Sequence, residues 1–84
     1  MNEGIQFRFK AMEYIVILRA QLGQYPKMKE NMTKILGMLD QVPRNDVSDA
    51  MNNILDAVSI HLGSNMDLQK EMYAMTLEKL KTQN

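Results

Sequence analysis

The sequence predicts an all-α protein, a three- to four-helix antiparallel bundle completed by homo-oligomerisation. Three observations predict it. Apolar residues recur at spacings of three and four along most of the chain, the period of a helix with one buried face. Two places punctuate the chain, Gly23–Pro26 and the stretch around Pro43 from Val42 to Asp46, with residues that end and start helices. The 84 residues read as a single helical domain over 1–84, and a domain of this size buries only roughly 60–65% of the surface its unfolded chain exposes. Such a chain gains core by associating with a second copy.

The first helix is expected over about residues 8–22, where Phe7, Ala11, Ile15, Leu18 and Leu22 succeed one another at helical spacing. Gly23 suits the left-handed position just past a helix end, and Pro26 suits the first turn of the next helix. The second helix, about 26–41, carries Met28, Met32, Ile35, Leu39 and Val42 as its stripe. Pro43 disfavours helical geometry at Val42, and Asn45 or Asp46 is the expected cap of the third helix. That helix, about 46–62, presents Val47, Met51, Ile54, Val58 and Leu62. Gly63-Ser64-Asn65 is a softer break, with Ser64 and Asp67 at the spacing of a capping box. The fourth helix, about 65–81, has Leu68, Met72 and Met75, with a second row of Tyr73, Leu77 and Leu80. Short connections make consecutive helices antiparallel neighbours.

Two stretches depart from this pattern. Ile5-Gln6-Phe7-Arg8-Phe9-Lys10 alternates apolar and polar residues, which is strand spacing. It is either a helix entrance or a strand that pairs with its copy in a second chain. With a helix, a glycine-bearing turn and another helix after it, residues 5–41 resemble the element order of ribbon–helix–helix DNA-binding proteins. That resemblance implies a dimer whose outward Gln6, Arg8 and Lys10 read a DNA groove while Ile5, Phe7 and Phe9 face the core. The sequence departs from the family in lacking a Ser or Thr at the start of the second helix. The other stretch is Tyr14-Ile15-Val16-Ile17-Leu18. Five consecutive bulky apolar residues coat every side of a helix, so this helix is either central or covered on one side by a partner or a second copy.

Composition excludes several functions. The formal net charge is zero, whereas generic nucleic-acid binding draws on a basic excess. There is no cysteine, hence no disulfide or thiolate metal site. His61 is the single histidine, so imidazole metal binding is not expected either, and no cofactor is implied. The longest apolar run, Tyr14–Leu18, is far short of the ~18–20 residues that span a bilayer. With no secretory leader pattern at the start, a cytoplasmic location is expected. His61 lies near Ser59 and Ser64, but no Gly-x-Ser-x-Gly elbow accompanies them. Asp46 and Asp49 sit where a helix dipole favours acids. Calcium-loop, phosphate-loop and dinucleotide motifs are missing. Enzymatic activity is not expected.

Nine methionines serve first as gap-fillers in a small core, and any that stay exposed make an adaptable contact surface. The function expected from these residues is a non-catalytic protein-interaction module: a small regulator, inhibitor or adaptor that docks on a target protein through helix faces. The chain has the style of small accessory proteins of phages and mobile elements. Phe7, Phe9, Tyr14 and Arg19 of the first helix, with Met66, Met72 and Met75 of the last, are the expected partner-binding residues. A further alternative is an oligomer that binds a small anion near Lys27, Lys29 and the helix start at Pro26.

Overall fold

All four expected helices form, with shifted ends, in the computed structural model, which describes residues 3–82. Helix α1 spans Glu3–Gln21, α2 Tyr25–Leu36, α3 Arg44–His61 and α4 Met66–Thr82, and a single 3₁₀ turn occupies Leu39–Gln41. Helix α1 lies against α2 and α3, and α4 closes the bundle against α3 and α2. The radius of gyration is 12.2 Å, close to the ~12 Å of a compact chain of this length.

Residues 5–10 belong to α1. The alternation of Ile5–Lys10 is therefore a helix entrance, and no strand occurs among the described residues. A helix satisfies its backbone groups within the segment, whereas a lone strand would leave them open. The ribbon–helix–helix order thus lacks its ribbon. On the helix the two aromatic residues part company: Phe9 is 2% exposed and Phe7 76%.

The first connection depends on Gly23. Its φ is +72°, a conformation in which a side chain meets the backbone but glycine does not. The Gln24 N–H donates to the Arg19 carbonyl at 2.9 Å and the Gly23 N–H to the Ala20 carbonyl at 3.3 Å. This pair of bonds is a Schellman motif, which closes the orphan carbonyls of α1. Pro26 lies in the first turn of α2, where its missing N–H costs nothing.

The other boundaries differ from the sequence reading. Helix α2 ends at Leu36 rather than near 41. At Gly37 and Met38 the backbone tightens to three-residue bonds onto Lys34 and Ile35, as helix ends often do. Val42 is then extended, with φ −127° and ψ 156°, the geometry favoured by a residue before proline. Helix α3 starts at Arg44 with no side-chain cap, so neither Asn45 nor Asp46 caps it. Pro43 takes that place because its φ of −61° is already set, and its carbonyl accepts from the Val47 N–H at 3.1 Å. The break at 63–65 separates two distinct helices. The cap of α4 is Asn65, whose Oδ1 accepts from the Leu68 N–H at 3.2 Å, and not Ser64. Gln69 braces the turn by donating from Nε2 to the Leu62 carbonyl at 2.7 Å.

The stripes of the middle helices lie wholly in the core. Met28, Met32, Ile35, Leu39 and Val42 are buried, and so are Val47, Met51, Ile54, Val58 and Leu62. Leu68 and Met72 join them from α4, with Met75 and Leu80 partly buried against the cluster. Met28, Met32, Met51 and Met72 act as core fillers, which their flexible thioethers suit. Helix α1 is the exception. Its buried apolar residues are Phe9, Val16 and Ala20, and only Ala11 and Ile15 of its expected stripe are even half-buried.

Two substitutions test these connections. Asn65→Ala is expected to cost about 1 kcal/mol through loss of the cap. Gly23→Ala is expected to cost about 1–2 kcal/mol, since open space surrounds the position and backbone strain alone opposes it. Urea denaturation monitored by circular dichroism measures both, and an unchanged midpoint for Gly23→Ala would contradict the left-handed turn.

Candidate functional site

Helix α1 carries two apolar faces. Residues nine apart lie roughly 180° apart around a helix of 3.6 residues per turn. Phe7 and Val16, Phe9 and Leu18, and Ala11 and Ala20 are three such pairs. In the first two the buried partner is 2% exposed or less, and the other lies open. Phe7 (76%), Tyr14 (67%), Leu18 (51%) and Leu22 (59%) line the outer face, joined by half-buried Ala11 and Ile15. Steps of three and four make these residues neighbours along the helix surface. The run Tyr14–Leu18 is thus split: Val16 is in the core, Ile15 and Ile17 are half-buried, and Tyr14 and Leu18 are uncovered. A contiguous stripe of this kind is what interaction sites present, unlike scattered single apolar residues.

The flanks of the stripe differ. On one side, between α1 and the first turns of α3, runs a cleft of about 560 Å³ whose walls include Phe7, Glu13, Tyr14, Asp46 and Asp49. On the other side, a shallower groove between α1 and α2 is bordered by Arg8 and Lys34 beside Ala11 and Met38. The first edge carries three carboxylates with Lys10 among them, and the other carries only basic charges.

Glu13 is the unusual group of the cleft. It is 3% exposed, a burial seldom seen for a carboxylate without full pairing. Its Oε2 accepts from Asn53 Nδ2 at 3.0 Å. Its Oε1 accepts no hydrogen bond. The cation facing that oxygen is Lys10 Nζ at 3.6 Å, on a side chain that is 59% exposed. Gln6, nearer the N-terminus, donates from Nε2 to Asp46 Oδ2 at 3.0 Å, joining α1 to the start of α3.

The structure divides the residues expected to bind a partner. Phe7 and Tyr14 share the outer face of α1. Phe9 and Met72 are core residues, 2% and 0% exposed, and are corrected accordingly: the helix turns Phe9 inward, and Met72 lies on the buried side of α4. Arg19, in the last turn of α1, is half-buried and donates from Nη1 to the Gln24 side chain, so it braces the connection to α2. Met66 is exposed (59%) on α4, far along the helix from half-buried Met75. Sequence reasoning missed Leu18, Leu22 and Glu13 as site residues. The first two sat in the expected core stripe, and the signal for Glu13 was a lone acid beside an apolar run. Of the residues in the alternative readings, Arg8 and Lys10 are exposed, Lys29 is ion-paired with Glu71, and His61 is exposed at the end of α3. Among the described residues, no group of three or more His, Cys, Asp or Glu is placed to hold a metal ion. None of their helices is long and apolar enough to cross a membrane.

No protein-family model matches the chain, and no solved structure matches it significantly. The outer face and its cleft are therefore read from their own geometry.

Two comparisons check this assignment. Phe9→Ala is expected to destabilise the protein by about 3–5 kcal/mol, while Phe7→Ser shifts stability by no more than about 0.5 kcal/mol; equal costs would refute the opposed faces. Asn53→Ala strands the Glu13 carboxylate and is expected to cost about 1–3 kcal/mol, whereas Glu13→Met, of similar volume, is expected to be neutral or stabilising. Denaturation midpoints of the four variants decide both.

Proposed function

We propose that this protein is a non-catalytic interaction module, a small regulator, inhibitor or adaptor that docks a target protein on the outer face of α1. The observation that supports it is the uncovered stripe of Phe7, Tyr14, Leu18 and Leu22 opposite the buried face of the same helix. A stripe of this width fits the apolar face of one partner helix, read through anchors at helical spacing. Aromatic residues such as Tyr14 are the types that carry binding energy in interfaces. Homo-oligomerisation is expected to use the same face, so a second copy and a target compete for it. Met66, Tyr73 and Leu77 are also exposed, on α4, and serve as the control surface.

The double variant Tyr14→Ser, Leu18→Ser is expected to fold normally, because both side chains are exposed. It is expected to lose target capture and any self-association seen by analytical ultracentrifugation, while Leu77→Ser keeps both. Capture that survives the α1 substitutions but is lost with Leu77→Ser would transfer the docking role to α4.

A further inference from the structure

We infer that the cleft beside Phe7 and Tyr14 is a receptor for a cationic side chain, a lysine or arginine carried by the helix that docks on α1. The inference rests on the docking reading and adds the chemistry of the partner. Three features carry it. First, the cleft is large enough for a long basic side chain, about 560 Å³, and Phe7, Ala11 and Tyr14 give it apolar walls. Such walls suit the methylene stem of that side chain, and the ring faces attract its charged head. Second, Glu13, Asp46 and Asp49 supply carboxylates from two helices to the same space. Third, Glu13 is almost wholly removed from solvent, at 3% exposure, and its Oε1 lacks a hydrogen bond.

A buried carboxylate with an open lone pair is an acceptor short of a donor, and a charged donor forms the strongest bond available to it. Lys10 does not fill that role. Its ammonium stands 3.6 Å from Oε1, beyond hydrogen-bonding reach, on a mostly exposed side chain. Oε1 has almost no accessible surface of its own, so an incoming guanidinium or ammonium pairs first with Asp46 and Asp49 and takes the place of the Lys10 ion pair at Oε1 as that exposed side chain swings to solvent. Charge also fixes the sense of docking. A helix that places its basic edge over Asp46 and Asp49 meets Arg8 and Lys34 with its opposite edge, so that edge must be neutral or acidic. The partner is thus an amphipathic helix with basic residues along one border of its apolar stripe.

The test uses the full chain and two small probes, butylguanidinium chloride and its neutral isostere butylurea, in amide NMR titrations at matched ionic strength. Butylguanidinium is expected to shift residues 6–14 and 46–49 saturably, with roughly tenfold higher affinity than butylurea. Glu13→Gln keeps an acceptor for Asn53 but removes the charge, and is expected to lower that affinity roughly tenfold. Asp49→Asn, at an exposed position, is expected to weaken it without touching the fold, so a misfolded Glu13→Gln protein does not leave the matter open. Equal affinity for the two probes overturns the inference. So do shifts spread over exposed Asp40, Glu78 and Asp56 instead of the cleft, or undiminished binding by Asp49→Asn. The docking reading fails by a separate measurement, target capture by the Tyr14→Ser, Leu18→Ser protein, so either conclusion can fall while the other stands.

Discussion

The fold turns on one constraint: α1 is apolar on two opposite sides, and among the described residues the other helices cover one of them. Helices α2 and α3 pack on the side that holds Phe9, Val16 and Ala20, and α4 closes the bundle behind them. A buried leucine or phenylalanine contributes roughly 1.5–3 kcal/mol relative to its exposed state. Phe7, Tyr14, Leu18 and Leu22 forgo most of that contribution in the isolated chain. Their exposure costs folding little, because the unfolded chain exposes them as well. On the docking reading, a partner that covers the outer face would gain that contribution as binding.

The same geometry accounts for the polar chemistry beside the stripe. The acid at position 13 falls on the border between the inner face and α3. Burial of its carboxylate costs free energy unless donors surround it; Asn53 donates to one oxygen, and Lys10 forms a longer ion pair with the other at 3.6 Å. Replacing the pair with apolar side chains would relieve that cost. On the inference drawn above, a cation entering the cleft would supply the donor that Oε1 lacks. The Glu13–Asn53 contact thus ties α1 to α3 beside the cleft.

Much of this was legible in the sequence. Helical period, the glycine turn and the two prolines located four helices, and the stripes of α2 and α3 expected from spacing are all buried. Sequence and structure part at α1, for a physical reason. Periodicity locates the buried stripe of a helix only when the opposite face is polar. With apolar residues at 7, 11, 14, 18 and 22 and again at 5, 9, 12, 16 and 20, spacing admits two phases half a turn apart, and packing against α2 and α3 decides between them. Caps show a related limit. Asn65 and Ser64 are both good cap residues, and one residue of difference in the turn selects between them. The cleft was not legible at all, since Glu13 and Asp49 share a wall only through the packing of α1 on α3.

The unequal flanks of α1 bear on how so exposed a stripe stays selective. An apolar ridge alone would accept any apolar helix in either direction, because hydrophobic contact has no orientation. Here Asp46 and Asp49 border one side and Arg8 and Lys34 the other. A helix laid in the wrong sense brings like charges together on both edges, a repulsion that costs more than the lost attraction of a mere mismatch. The chain as a whole stays neutral, so such discrimination in the proposed docking would not come from net charge. It would come from the neighbours of α1: α3 sets Asp46 and Asp49 along one flank, and α2 sets Lys34 beside Arg8 along the other.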